Sequence, residues 1–370
     1  MKANLRDRSL LAERVSLEEE YRSFKALRPV FIGGHARSGT TLLLRLLDGH
    51  ERLLVYPSEN WTLNRFLCVV ARRDFDIPRF LRAMAARDAE TLSSLVLNAT
   101  TANPFSNPLR VYFEDRGARE RFKRCFLQTL SSVQERWSVS EVLMTHIFSY
   151  FQTAGVGAMS QYQGWVLKCP DGGHCLPTYN MMFPDCRIIY TIRDPRAIYA
   201  SQHHWHKEGL SGWDTISFVF NLADSCKSAF SRVRRVLDRR EENLLLVGYE
   251  GLVESPKKAM KKVADFLGIA FHEILLRPTC MNELCVANSS FSEEENSPGK
   301  IFVSSSTRWR HLMRWYERWL IEAGLAGELV EWGYEERIRA GMVKKLLRGF
   351  IRLLQRCQRQ GGKHSINDRN

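Results

Sequence analysis

The fold of this chain is constrained most strongly by a glycine-rich loop between a short apolar segment and a leucine-rich segment. Residues 29–32 are apolar, residues 33–41 read Gly-Gly-His-Ala-Arg-Ser-Gly-Thr-Thr, and a leucine-rich stretch runs from 41 to 47. This order predicts a strand, a tight loop and a helix. Because backbone amides and the positive end of a helix bind anions, the loop is predicted to hold a phosphate or a sulfate.

The loop departs from the nucleotide-binding pattern G-x-x-x-x-G-K-[ST] at one position. Gly34 and Gly39 fit its glycines and Thr41 fits its hydroxyl, but Thr40 stands where the lysine belongs. Since that lysine contacts the β- and γ-phosphates, its replacement argues against ATP or GTP hydrolysis and leaves the anion loop intact. Arg37 offers a positive charge from within the loop, on a planar fork suited to phosphate or sulfate oxygens.

Short apolar segments alternate with helical patterns along the chain. The predicted strands are Pro29–Ile32, Leu53–Tyr56, Trp165–Lys168, Arg187–Ile192 and Leu244–Tyr249. Helical patterns cover 16–26, 195–206, 215–239 and 256–267. The alternation predicts an α/β fold, a P-loop-like three-layer domain with a central parallel sheet.

The same patterns predict the domain organisation. A short N-terminal helix within 1–27 precedes one large domain over 28–335. Residues 61–160 form a helical insertion far longer than an ordinary connection, which we expect on the acceptor side. Residues 336–370 hold a basic amphipathic helix and tail, whose helix over 342–360 either packs on its own domain or lies on an anionic membrane.

A second motif follows the fourth predicted strand. That strand ends in Arg193-Asp194-Pro195-Arg196, and Ser201 lies eight residues after Arg193 in the next helical pattern. A guanidinium and a hydroxyl placed by a helix turn suit a second phosphate. A surface ion-pair cluster with Pro195 in the first turn of a helix is the other interpretation.

Together the motifs resemble those of the sulfotransferases that use 3′-phosphoadenosine 5′-phosphosulfate (PAPS). The loop A-R-S-G-T-T-L is close to that of tyrosylprotein and many bacterial members, and the family's R-D-P-R strand end is followed by a serine at the same spacing. Weaker matches follow in family order: Lys168-Cys-Pro170 resembles a K-x-P element, Tyr249-Glu-Gly-Leu-Val253 a Y-E-x-L-V segment, and Gly333-Tyr334 the end of a closing L-G-Y.

The resemblance implies roles for these residues. The PAPS-binding residues would be Arg37, Ser38, Gly39, Thr40, Thr41, Arg193, Ser201 and Tyr249. Arg193 and Ser201 would bind the 3′-phosphate, while Lys168 and Arg37 would act at the transferring group without a metal. Ser306, or one of its neighbours Ser304 and Ser305, resembles a serine that tyrosylprotein enzymes place at the same centre.

Glu59 is the candidate catalytic base, since related enzymes have a glutamate just after the second strand. Compared with the tyrosylprotein pattern, the position of this glutamate is shifted by about one residue, and the paired glutamates are lacking. The other interpretation is that Glu59 is a helix cap or a solvated carboxylate. His50 is an alternative base, although the histidine of cytosolic members lies in a different segment. The histidines at 203, 204 and 206 lack a carboxylate or cysteine at ligand spacing, so no metal site is expected.

Composition bounds the partners and the compartment. The formal net charge of +13 over 370 residues favours an anionic partner. Nine cysteines are scattered without a C-x-x-C pair, and the N-terminal segment lacks a continuous apolar run. These features predict reduced thiols and a cytoplasmic location, with membrane association as the alternative for the helix over 342–360.

The expected activity is transfer of a sulfuryl group from PAPS to a hydroxyl or amine of a carbohydrate, a lipid-linked glycan or a small molecule. One alternative is an ATP-dependent P-loop kinase, against which the missing loop lysine argues. Another is a non-catalytic protein that binds an anion or nucleotide. Nucleic acid is not expected as a partner because no helix-turn-helix or RNA-binding signature is present.

Overall fold

The computed structural model describes residues 16–59, 77–101, 108–169, 176–205, 212–238, 242–285 and 297–335. The predicted C-terminal helix over 342–360, His206 and residues 286–296 of the polar stretch lie outside this part of the chain. The described residues belong to two compact units. The first lies within Met1–Ile192 and Arg239–Phe302, and the second within Arg193–Asp238 and Val303–Asn370.

The first unit is built on a parallel five-stranded sheet, as predicted from the sequence. Its strands are β1 (Arg28–Gly34), β2 (Leu53–Glu59), β3 (Gly164–Lys168), β4 (Arg187–Ile192) and β5 (Leu244–Gly248), in the order β2-β3-β1-β4-β5. The two strands followed by the sequence motifs, β1 and β4, are neighbours, with Gly34 opposite Thr191. Both motifs therefore begin at the carboxyl edge of the sheet, where ligands of open α/β sheets bind.

Helices of the first unit cover both faces of the sheet and account for most of the described residues between β2 and β3. They are α1 (16–25), α2 (Thr40–Leu47), α3 (Ile77–Ala85), α4 (Ala89–Thr101), α5 (Pro108–Tyr112), α6 (Arg116–Ser132), α7 (Val139–Ala154), α8 (Leu176–Met182), α11 (Tyr249–Glu254) and α12 (Pro256–Leu267). The second unit has α9 (Pro195–Trp205), α10 (Gly212–Asp238), α13 (Ser304–Thr307), α14 (Trp309–Leu312), α15 (Trp315–Gly324) and α16 (Ala326–Glu331).

Alternation along β1 explains the three layers. Val30 and Ile32 point to an aliphatic core that contains the leucines of α2 and Met260 of α12. Phe31 points to the opposite face, where its ring stacks on Tyr179 of α8 at 4.2 Å between centroids. Both faces are thus buried, as is usual for a parallel sheet.

A short hairpin in the first unit was not predicted. β6 (Thr279–Cys280) and β7 (Glu283–Leu284) pair antiparallel through a turn in which Met281 and Asn282 have φ of 56° and 66°. Asp48, at the end of α2, accepts a hydrogen bond from Asn282 N at 3.0 Å, and its carbonyl accepts one from Thr279 Oγ1 at 2.7 Å. The hairpin is therefore anchored to the helix that follows the anion loop.

Candidate active site

The anion loop is tightly folded and follows β1 directly. Gly34 and Gly39 have φ of 154° and 96°, conformations that side chains rarely adopt. A Cβ on Gly34 would collide with Thr191 and Ser38, and one on Gly39 would collide with the ring of Tyr249. The glycines are required at these positions because their neighbours leave no room for a side chain.

Arg37 occupies the left-handed region with φ of 71°, although it is not glycine. Left-handed backbone costs an L-residue roughly 1–2 kcal/mol. Such strain persists only where the surroundings impose it, and it concentrates at functional sites. Ser38, which lies between Arg37 and Gly39, is fully buried, and its Oγ lies 2.7 Å from Thr191 Oγ1 of β4. The loop is therefore held to the neighbouring strand.

A lysine reaches the loop from another strand. Lys168, the last residue of β3, is only 5% exposed, and its Nζ donates a hydrogen bond to Thr41 Oγ1 at 2.7 Å. Thr41 lies in the first turn of α2, next to Thr40, which is buried. The loop has threonine, not lysine, at position 40. Lys168 instead places a cation beside the hydroxyl of the next residue, Thr41.

Positive charge in the loop comes from Arg37 rather than from His35. Burial lowers the pKa of His35, although the contact of its Nδ1 with the Ala36 carbonyl, at 2.9 Å, opposes the shift. Near pH 7 the imidazole is therefore neutral. An anion at this loop would be stabilised by backbone amides, hydroxyls and the charges of Arg37 and Lys168.

The strand pairing brings the backbones of Glu59 and Lys168 together. Glu59 ends β2 and lies opposite Lys168 in β3, after an irregularity in the register between Val55 and Glu59. The candidate base and the candidate catalytic lysine therefore end neighbouring strands at the same edge of the sheet. Tyr249, the first residue of α11, packs against Gly39, and Lys168 contacts Thr41, so these two candidate residues adjoin the loop and the helix that follows it.

The alternative base, His50, has a structural role. Its Nδ1 accepts a hydrogen bond from Arg52 N at 3.2 Å, and its Nε2 lies 2.9 Å from the Ala270 carbonyl. This pattern places the proton on Nε2 and engages both nitrogens. His50 is also 2% exposed, so it connects the end of α2 to residue 270 and has no nitrogen left to act as a base.

A buried polar pair near Glu59 was not found from the sequence. Tyr56, in β2, has its hydroxyl 2.6 Å from His146 Nε2 of α7. Burial lowers the pKa of His146 to about 3, so the imidazole is neutral. Among the described residues, His146 Nδ1 has no hydrogen-bond partner. Spacing gave no signal for this pair, because Tyr56 and His146 are far apart in the chain and each fits an apolar pattern.

The second unit contains the remaining candidate residues. Arg193 and Ser201 are 8% and 4% exposed, and Arg193 Nη2 donates to the Ser305 carbonyl at 2.7 Å. Ser306 is buried, and its Oγ donates to the Val303 carbonyl at 3.0 Å. The serine-rich segment thus lies against Arg193 within this unit.

Neither a metal site nor a membrane span is found in the part of the chain that the structure describes. No group of three or more His, Cys, Asp or Glu side chains there is arranged to hold a metal ion. No described helix is both long enough and apolar enough to cross a bilayer. The cysteines that the structure describes at 125, 169, 186, 226, 280 and 285 are not joined by disulfide bonds.

Fold and loop geometry together define an α/β protein with a P-loop-like loop at the carboxyl edge of its sheet. The sulfotransferase family model matches residues 29–273, which include both motifs. The chain therefore belongs to the sulfotransferase family and is a transferase.

Several solved structures are similar to this chain. The sulfotransferase domain of the Synechococcus PCC 7002 olefin synthase is 19% identical, with a TM-score of 0.48, and the match covers 80% of this chain and 94% of that one. Sulfotransferase STF9 from Mycobacterium avium is 15% identical, with a TM-score of 0.41 and coverage of 82% and 76%. Retinol dehydratase in complex with retinol and PAP is 17% identical, with a TM-score of 0.36 and coverage of 85% and 86%.

Proposed function

We propose that this protein transfers a sulfuryl group from PAPS to a hydroxyl or amine of a carbohydrate, a lipid-linked glycan or a small molecule. The observation that carries the proposal is the hydrogen bond from Lys168 to Thr41 beside the loop that follows β1. In a member of the sulfotransferase family, this arrangement supplies the cation that a P-loop NTPase has in the loop itself.

The residues of the loop fit the sulfated 5′ end of the donor. A tight backbone with two left-handed residues, Arg37 and Gly39, leads into the N-terminus of α2, and such turns are anion-binding concavities. Arg37, Ser38, Gly39, Thr40 and Thr41 are the proposed ligands of the 5′-phosphosulfate. Tyr249 packs on Gly39 and is the proposed neighbour of the nucleotide.

Arg193 and Ser201 are the proposed ligands of the 3′-phosphate. Both are buried in the second unit, and Arg193 directly follows β4. A buried guanidinium with a nearby hydroxyl suits a dianion, because charge-assisted hydrogen bonds are strong in a site that excludes water. The bound PAP named for retinol dehydratase carries the same 3′-phosphate.

In the proposed reaction, the acceptor oxygen or nitrogen forms a bond to sulfur as the bond from sulfur to the 5′-phosphate oxygen breaks. The acceptor proton passes to the carboxylate of Glu59, and the electron pair of the broken bond remains on the departing phosphate. Lys168, Arg37 and the loop amides stabilise the charge that develops there, so no metal is needed. Ser306, whose hydroxyl donates to the Val303 carbonyl in this structure, is proposed as a further polar contact of the transferring group.

Calorimetry and a transfer assay test the proposal. We expect 3′-phosphoadenosine 5′-phosphate (PAP), the product of the donor, to bind without metal, and ATP with Mg²⁺ to bind at least tenfold more weakly. Radiolabelled PAPS incubated with fractionated carbohydrate, lipid and small-molecule extracts should label one fraction. Tight binding of ATP with Mg²⁺ and phosphate transfer from it would instead establish the kinase alternative, and absence of nucleotide binding would contradict both.

The cytoplasm is the proposed location, and it is supported by the lack of disulfide bonds among the cysteines that the structure describes. The proposed membrane contact through 342–360 lies outside the described residues.

A further inference from the structure

The guanidinium of Arg196 is completely paired inside the second unit. Its Nε and Nη2 donate to the carboxylate of Asp194 at distances of 2.7–3.1 Å. Nη1 donates to Glu322 at 3.0 Å and also to Glu335, and Nη2 donates to the Tyr334 carbonyl at 3.2 Å. All five N–H donors that an arginine possesses are therefore directed at acceptors.

The site is buried and rich in carboxylates. Arg196 is 2% exposed, and three carboxylates surround it, one of which, Glu322, also accepts a hydrogen bond from Arg318 at 2.7 Å. Burial by itself lowers the pKa of Arg196, but the hydrogen bonds and charges of Asp194, Glu335 and Glu322 outweigh this effect and raise it. The side chain is therefore a permanent cation.

Trp309 connects this cation to the segment that contacts Arg193. The guanidinium of Arg196 lies 4.2 Å from the centroid of the Trp309 ring, and the ring packs on Ala197 and Ala200 of α9. Four residues before Trp309, the Ser305 carbonyl accepts the hydrogen bond from Arg193. One short segment thus stacks on Arg196 and also orients Arg193.

A buried ion cluster of this kind is weak evidence for a role in stability. Well-packed apolar side chains often stabilise a fold as well as a buried ion pair does, whereas ions fix one geometry. The geometry fixed here is that of the segment 193–196 and of α9, which bear Arg193 and Ser201.

We infer that Arg196 is a positioning residue for recognition of the 3′-phosphate. It acts through Asp194, Trp309 and the residues at 334–335 to hold Arg193 and Ser201 in the geometry that discriminates a nucleotide with a 3′-phosphate from one without it. The inference rests on the proposed function, because it presupposes that Arg193 and Ser201 bind that phosphate. One of the acceptors, the backbone carbonyl of Tyr334, lies in the segment that resembles the family's closing L-G-Y.

Calorimetry on the full chain tests the inference through the ratio of the dissociation constants of AMP and PAP, which differ only in the 3′-phosphate. The test variants are Arg196→Lys, which keeps the charge and loses the fork, Arg196→Met, and Glu335→Gln, which removes one charge at nearly constant shape. Arg234→Met is the matched control, because Arg234 pairs with Glu331 and Asp238 in the same unit but is 55% exposed.

We expect the ratio to fall at least tenfold in Arg196→Lys and Arg196→Met, and at least threefold in Glu335→Gln, with AMP affinity changed less than threefold. Arg234→Met should keep the wild-type ratio. A purely structural role would lower the melting temperature and leave the ratio unchanged. If Arg196→Met does not fold, the milder Arg196→Lys and Glu335→Gln variants decide the question.

The variant Arg193→Ala distinguishes a failure of the proposed function from a failure of the inference about Arg196. If this variant keeps the wild-type ratio, Arg193 does not bind the 3′-phosphate and the proposed function is overturned at that point. If it abolishes the preference for PAP while Arg196→Lys and Glu335→Gln retain it, the proposed function stands and the inference about Arg196 is wrong.

Discussion

Lys168 and Thr41 meet across the carboxyl edge of the sheet, with the ammonium group donating to the threonine hydroxyl at 2.7 Å. Lys168 ends β3, whereas Thr41 begins the helix after β1, and these two strands are paired. The contact therefore depends on the strand order rather than on the loop sequence.

Replacing Lys168 by methionine should lower kcat by roughly 10²–10³-fold, because one preorganised donor to a developing charge is worth about that much. Methionine keeps most of the buried volume and removes the charge. Single-turnover assays with labelled PAPS measure the effect, and exposed Lys258→Met is the control. A kcat within tenfold of the wild type would remove Lys168 from the reaction centre.

Gly39→Ala should weaken PAP binding at least tenfold, since the added Cβ collides with the ring of Tyr249 and forces the loop open. Gly155→Ala is a matched control. Gly155 also has positive φ, at 76°, but lies at the end of α7 with no atom near the position of the added Cβ. The control should lose stability and keep the affinity for PAP, as measured by calorimetry. Equal losses of affinity would mean that backbone strain alone is responsible.

Glu59→Gln should abolish turnover while leaving the affinity for PAP within threefold of the wild type. A positioned base contributes roughly 10²–10⁴-fold to rate, and glutamine cannot accept the acceptor proton. The control is Glu51→Gln, at an exposed turn before the same strand. Turnover of Glu59→Gln at the wild-type rate would exclude Glu59 as the base.

His146 should make the fold sensitive to acid. Because its pKa is about 3 in the folded protein and 6.5 in the reference state, the unfolded chain binds a proton that the folded chain rejects between these values. The free energy of unfolding should therefore fall as the pH decreases from 6.5 towards 3. This residue alone contributes a slope that approaches about 1.4 kcal/mol per pH unit.

Urea unfolding of His146→Gln across pH 4–7 measures that contribution. The variant should show a flatter decline with acid than the wild type. Identical slopes for His146→Gln and the wild type would show that the imidazole does not titrate as its burial implies.

Local patterns were sufficient to predict the strands, the helices that follow β4 and β5, and the motif-bearing loops. The hairpin at 279–284 was missed because Met281 and Asn282 lack the glycine that usually marks such a turn. The strand order and the contact of Lys168 with Thr41 could not be predicted either, because local sequence patterns do not show which distant strands pair.

The ion cluster around Arg196 was not predicted from the sequence for a different reason. Glu322 and Glu335 lie more than a hundred residues from Arg196 and look like ordinary surface carboxylates of helical segments. Burial of a charge becomes visible only when the partners are assembled. The proposed site residues remain predictions of the sequence until the variants above are measured.

The position of β2 at the edge of the sheet has a consequence for how such an enzyme can change. The chain leaves the sheet after β2, which is an edge strand, and enters the segment that contains the described helices α3–α7. The motifs proposed to bind the donor follow β1 and β4, which are adjacent inner strands. If residues 61–160 form the acceptor side as predicted from the sequence, we expect that exchanging this segment between relatives changes acceptor selectivity and leaves intact the strands that precede the proposed donor motifs.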